Sequence, residues 1–176
     1  MKILVLGLGY VGTANAILLA QNNEIICFDV NSHRVNQINN QISPIKDLDV
    51  SRYFAKKNLD IKAVTKLPNL IDFNFIIIAT PTSYNPQTND FDTSTVESCI
   101  QEIEKQKFKV PIIIRSTLPV GFTTKIQQRY SGQEIIYVPE FLREGKALHD
   151  SLHPSRIVVG SKSENAKKFS QLLLNG

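Results

Sequence analysis

The sequence predicts an α/β fold of the doubly wound, Rossmann type: a mostly parallel sheet with helices on both faces. Three observations predict it. Short apolar runs recur along the chain, with helix-length stretches between them. The runs are unbroken rather than alternating, as strands buried on both faces require. The first run, Lys2–Leu6, passes at once into Gly7-Leu8-Gly9-Tyr10-Val11-Gly12, a glycine turn that opens a helix.

The elements follow in order. After the strand Lys2–Leu6 a helix is expected over 13–21. The second strand, Glu24–Phe28, closes in Asp29. Helices are expected over 31–40 and 50–57, then a weak strand at Ile61–Val64 and a strong one over 73–79. Residues 81–92 are rich in Ser, Asn, Pro and Asp and read as an irregular loop. Ser94-Thr95-Val96-Glu97 has the spacing of a capping box and opens a helix to about Lys107. A fifth strand covers 111–115, its proline tolerated at the start. Then come a helix over 121–130, strands over 134–138 and 156–159, and an amphipathic helix over 163–174. That last helix has Phe169, Leu172 and Leu173 on one side. Composition and length suit one domain, 1–176, with a real core.

Each glycine of the turn has a mechanical task. Gly7 permits the tight exit from the strand, Gly9 presents no side chain to a pyrophosphate, and Gly12 lets the helix pack closely. The free N–H groups and partial positive charge at the helix N-terminus attract phosphate. A glycine turn alone is common. Strand before, helix after and an acid closing the second strand make this one a dinucleotide site, with Asp29 near the expected spacing of about 20 residues. A carboxylate there accepts ribose hydroxyls and repels a 2′-phosphate, which favours NAD over NADP. Arg34 close by keeps NADP open.

The remaining composition mainly excludes. The lysines are scattered (Lys56-Lys57, Lys105, Lys107, Lys109, Lys167-Lys168) without interleaved aromatics, so no nucleic-acid surface is expected. The net charge of +4 suits anionic small ligands. Two cysteines without a CxxC pair give no disulfide framework, and Cys27 and Cys99 read as small core residues. His33, His149 and His153 lack partners at ligand spacing, so no metal is expected. No apolar stretch nears the ~20 residues of a membrane span and no signal peptide is visible, so the expected location is cytoplasmic.

In a doubly wound sheet, ligands sit beyond the carboxyl ends of the strands. There the chain carries Ala79-Thr80-Pro81-Thr82, Arg115-Ser116-Thr117-Leu118-Pro119-Val120-Gly121 and Pro139-Glu140-Phe141-Leu142-Arg143-Glu144-Gly145. Thr82 and Thr117 offer hydroxyls for a water or a phosphate, and Glu140 and Glu144 offer acid–base or ribose contacts. Thr80, Ser116 and Thr117 have a second possible use, as helix caps.

With the glycine turn, Ile42-Ser43-Pro44-Ile45 and Pro154-Ser155-Arg156-Ile157-Val158-Val159-Gly160, these segments in this order resemble the UDP-glucose/GDP-mannose dehydrogenase family over essentially the whole chain. The Glu-Phe-Leu-Arg-Glu run resembles its UDP-glucose and GDP-mannose branches, and the loop around Tyr84 with the Phe91-Asp92 pair resembles its bacterial UDP-glucose branch. The resemblance implies oxidation of a sugar C6 alcohol to a carboxylate with two NAD, and a homodimeric parent. It implies NAD contacts by Gly7, Gly9, Tyr10, Val11, Gly12, Asp29, Arg34, Thr82, Thr117 and Glu144. Thr117 and Glu140 match the residues around the catalytic water. Glu140, Phe141, Leu142, Arg143 and Glu144 match the contacts to the UDP-sugar, UDP-glucose before others. The family's essential cysteine, lysine and asparagine have no match here. The chain therefore reads as the NAD-binding domain without the sugar-nucleotide domains, and as inactive alone. Apolar surface is expected around Leu172, Leu173 and Leu174. A stand-alone dinucleotide-binding module, a GDP-mannose dehydrogenase domain and another hydroxyacid-type dehydrogenase are the alternatives.

Overall fold

The computed structural model describes residues 1–56, 58–87 and 89–176. In chain order, β1 is Lys2–Leu6, α1 Tyr10–Ala20, β2 Glu24–Phe28, α2 Ser32–Asn39 and α3 Leu48–Lys56. Then come β3 Ile61–Val64, β4 Phe75–Ile78, β5 Tyr84–Asn85, β6 Asp90–Phe91 and α4 Ser94–Lys105. The chain continues with β7 Ile112–Ile114, α5 Phe122–Arg129, β8 Ile135–Tyr137, α6 Ala147–Leu152 and α7 Glu164–Leu174. Six strands form a parallel sheet in the order β3-β2-β1-β4-β7-β8. The order reverses at β1, so the crevice beside β1 and β4 is where such a sheet holds a ligand.

Strand side chains alternate between faces, and each face has its own core. Ile3, Val5, Ile25, Phe75, Ile77, Ile113 and Ile136 pack under α1, α2, α3, α6 and α7. Leu4, Leu6, Ile76, Ile78, Ile112 and Ile114 pack under α4 and α5 through Val96, Ile100, Ile103 and Ile126. From Gly12 to Ala20 α1 is buried on every side, because the sheet lies under it and α3, α6 and α7 lie against it.

The expected elements differ from the observed ones in a few places, each for a physical reason. The helix expected from residue 13 starts at Tyr10, because Gly9 is its N-cap. The helix expected over 50–57 starts at Leu48, and Lys57 lies outside the described residues. The capping box is displaced. Thr93, not Ser94, is the N-cap of α4. Asp92 Oδ1 accepts from the Ser94 N–H at 2.9 Å, and the Thr93 hydroxyl donates to Glu97 Oε1 at 3.2 Å. The loop over 81–92 contains a small antiparallel hairpin of β5 and β6, closed by the Tyr84 and Phe91 rings at 5.2 Å. Thr88 in that loop lies outside the described residues.

Residues 156–159 do not form a strand. The segment meets β8 through one backbone hydrogen bond, Gly160 N–H to Tyr137 O at 2.8 Å, and one bond makes no ladder. Helix α6 escapes periodicity because it is under two turns long. It is built on the buried Asp47, whose Oδ2 accepts from Leu148 N–H at 3.1 Å while Oδ1 caps α3 at Asp49 N–H and Val50 N–H. One carboxylate thus starts two helices, and its partner in the second lies 101 residues along the chain. The apolar surface expected around Leu172 to Leu174 reduces to Leu174, because Leu173 is buried and Leu172 packs against the core. Among the described residues no helix is long and apolar enough to cross a membrane.

Phe169 on α7 is fully buried and meets the Phe75 ring at 5.5 Å between centroids. Phe169→Ala should cost about 3–5 kcal/mol of stability, read as a lower denaturation midpoint at unchanged slope. An unchanged midpoint would mean that α7 is not part of this core.

Candidate functional site

Gly7, at φ +98°, turns the chain out of β1 so tightly that a Cβ there would stand 2.6 Å from Ala79 O. Gly12 is tighter still. A Cβ on it would lie 1.8 Å from Gly7 O, so only glycine lets the first turn of α1 sit on the end of β1. Around Gly9 the opposite holds: nothing lies within 4 Å of where its Cβ would be. The N–H groups of the first helical turn have no acceptor within the helix, and with the helix dipole they face this open space as an anion site.

Asp29 completes the turn from the end of β2. Its side chain is buried; Oδ2 accepts from Leu8 N–H at 2.7 Å and Oδ1 from Asn31 N–H at 2.8 Å. Each is a charge-assisted bond worth about 1.5–3 kcal/mol. Each oxygen keeps a lone pair for a further donor. The Arg34 guanidinium stands 3.7 Å from Oδ2, partly exposed. Asp29 and Arg34 line a cleft of 590 Å³ whose walls also include Gly7, Phe28, Leu67 and Cys99. The cleft is thus apolar along one side and anionic at one corner, which suits a purine base beside a ribose diol.

A second cleft, of 340 Å³, opens at the end of β8. Glu140, Phe141, Leu142 and Arg143 line it with Arg115, His149, Asp150 and Arg156. Asp150 holds the turn after β8 in place, accepting from Arg143 N–H and Nε at 2.9 and 3.0 Å and from Nη2 at 2.7 Å. These bonds hold the Asp150 carboxyl well below the usual carboxylate range. The Arg156 guanidinium lies 4.2 Å from the centre of the half-exposed Phe141 ring. Burial pushes the Glu140 carboxyl up, while the Leu142 N–H it accepts at 3.1 Å and the Arg115 charge pull it back.

A family model described as the UDP-glucose/GDP-mannose dehydrogenase family, NAD binding domain, matches residues 1–174. The chain belongs to the UDP-glucose/GDP-mannose dehydrogenase family. It is that family's NAD-binding domain, and its cofactor is NAD. The open Gly9, the free helix N-terminus and the Asp29 corner fit that cofactor. Among curated relatives, the UDP-glucose 6-dehydrogenase of Campylobacter jejuni is 42% identical over 99% of the chain and 45% of its own length. That of Streptococcus pneumoniae is 42% identical over all of the chain and 46% of its own length. A UDP-glucose dehydrogenase structure from Pyrobaculum islandicum superposes with a TM-score of 0.84 at 25% identity, covering 99% of the chain and 44% of that one. The chain thus spans under half the length of these relatives.

Within this family domain the expected site residues divide. Gly7, Asp29 and Arg34 line the larger cleft, and Gly9, Tyr10, Val11 and Gly12 form the turn beside it. Glu140, Phe141, Leu142 and Arg143 line the smaller one. Thr82, Thr117 and Glu144 line neither, and Thr117 and Glu144 are exposed. The Ser116 hydroxyl caps no helix; it donates to Thr80 O at 2.7 Å and ties the ends of β4 and β7 together. The Thr95 hydroxyl likewise donates to Pro81 O at 2.7 Å.

Cys99 needs a correction. It is no simple core residue but half-buried in the wall of the larger cleft, where burial and then the Glu102 charge push its thiol up to about 11. Cys27 is fully buried, and burial raises its thiol further. Sequence reasoning also passed over Leu67, which nothing local marks. The signal for Arg115 was present: a charge closing an otherwise apolar strand.

Gly9→Val should weaken NAD binding by at least tenfold with little change in melting temperature, because its side chain enters open space on the pyrophosphate's path. Gly12→Val should lose both, since its side chain meets Gly7 O. Paired calorimetry and thermal melts separate the two, and like behaviour in both assays would refute this division.

Alkylation of Cys99 should be slow at neutral pH and rise about tenfold per pH unit below pH 11, following the thiolate fraction. Saturating NAD should slow it further. Peptide mapping checks this, and NAD-insensitive labelling of Cys99 would remove it from the cofactor cleft.

Proposed function

We propose that this chain is the NAD-holding domain, residues 1–176, of a nucleotide-sugar dehydrogenase. The parent enzyme oxidises the C6 alcohol of a UDP-sugar, UDP-glucose before others, to the carboxylate in two hydride transfers. The observation that carries this reading is the pair of clefts at one sheet edge. The larger, with Asp29, suits the adenosine end of a dinucleotide, and the smaller presents a half-buried glutamate beside three arginines. The two relatives at 42% identity, both UDP-glucose 6-dehydrogenases, support the choice of sugar. A homodimeric parent and a cytoplasmic location belong to the same reading.

When bound, NAD supplies the hydride acceptor. The chain's own groups bind and orient it. The turn from Gly9 to Gly12 binds the pyrophosphate through backbone N–H groups, with Tyr10 and Val11 beside it. Asp29 accepts hydrogen bonds from the ribose hydroxyls, and Arg34 steadies Asp29. Leu67 and Cys99, in the wall of the larger cleft, would flank the base. By the family resemblance Thr82, Thr117 and Glu144, which line neither cleft, would contact the cofactor from the loops after β4, β7 and β8. Glu140, Phe141, Leu142, Arg143 and Glu144 hold the sugar nucleotide. The Glu140 carboxyl, raised by burial, exchanges a proton with a water that the Thr117 hydroxyl orients.

Trapping the aldehyde for the second oxidation needs a nucleophile. Neither thiol of this chain supplies it: Cys27 is buried in the sheet and Cys99 stands in the cofactor cleft. That nucleophile belongs to the rest of the parent enzyme.

Calorimetric titration should give tighter binding of NAD than of NADP. Equal or tighter NADP binding would mean that Arg34, not Asp29, sets the preference. With UDP-glucose and NAD the chain alone should give no steady formation of NADH at 340 nm. Multi-turnover NADH that a Cys27→Ser, Cys99→Ser double variant loses would overturn the assignment of the nucleophile.

A further inference from the structure

The smaller cleft contains a cation that the reading above leaves without a task. Arg115 closes β7 and is only 8% exposed. Its Nη1 donates to Val138 O at 3.2 Å and to Pro139 O at 3.4 Å, the two carbonyls immediately before Glu140. Its Nε is buried and has no hydrogen-bond partner among the described residues. A guanidinium buried against neutral carbonyls is costly to hold unless a negative charge acts on it. Glu140 lines the same cleft, and its charge acts on the guanidinium.

We propose that Arg115 is the positioning residue for the Glu140 carboxylate. Its guanidinium fastens the Val138-Pro139 backbone, so that Glu140 leaves β8 in one direction and keeps its bond to Leu142 N–H. Its charge offsets part of the burial that raises the carboxyl. This deepens the proposed function, since a proton-transfer task for Glu140 rests on that reading. Arg115 touches no reacting atom in this scheme and acts through Glu140.

Burial lowers Arg115 to about 10, so it stays cationic through the neutral range. Tyr137 lies at the end of β8, and burial raises its hydroxyl, so it stays neutral there. Across the cleft Arg143 and Asp150 bind each other, and Arg156 covers Phe141. His149 and His153, packed edge to face at 5.1 Å, are the other ionisable side chains of the cleft wall. A His149→Gln, His153→Gln background removes them.

The test is carboxyl-detected NMR titration of Glu140 in the full chain, with the Leu142 amide shift followed in the same samples. In the parent background the Leu142 amide should step at the Glu140 midpoint. In Arg115→Met the midpoint should rise by about one pH unit, as for a carboxylate losing an adjacent cation. The Leu142 step should also shrink as the loop loosens. Arg115→Lys restores charge without the planar fork, so its midpoint should return towards the parent while the step stays reduced. If Arg115→Met does not fold, the lysine variant decides alone. A folded Arg115→Met with an unmoved midpoint, or an Arg115→Lys with a full Leu142 step, would overturn the proposal. No cofactor or sugar enters the experiment. Its failure therefore leaves the dehydrogenase reading standing, and a failure to bind NAD leaves this coupling standing.

Discussion

The contact between Gly12 and the Gly7 carbonyl is the constraint on which the rest depends. A single methyl group at Gly12 would overlap that oxygen at 1.8 Å. The closeness brings the first turn of α1 directly over the end of β1. The helix N-terminus then faces the crevice where the strand order reverses, and Gly9 stays clear of any side chain. Asp29 closes the arrangement from β2 by accepting the Leu8 N–H. Packing and electrostatics serve one purpose here. The residues that make the turn tight are those that leave its amides free for an anion.

Three carboxylates, two buried and one half-buried, organise the molecule with different outcomes. Asp47 is spent on backbone N–H groups of α3 and α6, which makes it structural. Asp29 uses one acceptor site on each oxygen for backbone and keeps others for a ligand. Glu140 receives one backbone N–H, and burial lifts its carboxyl. The fewer backbone donors a carboxylate receives, the more of its chemistry remains for substrate or water.

Much of this was legible in the sequence, because much of it is local. Gly7, Gly9, Gly12 and Asp29 announce themselves by spacing, and the apolar strands by composition. The strands Lys2–Leu6, Glu24–Phe28 and Ile61–Val64 run as read from the sequence. What was not legible depends on distant partners. Helix α6 starts on Asp47, far away in sequence. Residues 156–159 have strand composition but only one backbone bond to β8. Cys99 looked like core because its helix is amphipathic, yet it borders the cleft that β1, β2 and β4 open. The expected NAD residues Thr82, Thr117 and Glu144 are carried by the family resemblance, and local geometry adds little to them.

In the proposed function the glycine turn and the Asp29 cleft receive the dinucleotide, while the Glu140 cleft is a separate place. The most direct measurement is a two-dimensional amide NMR map of the chain as NAD is added. The largest shifts are expected at Leu8, Gly9, Tyr10, Val11, Val30 and Cys99, with Leu142, Arg143 and Asp150 little changed. Shifts concentrated on Leu142, Arg143 and Asp150, with a silent glycine turn, would contradict it.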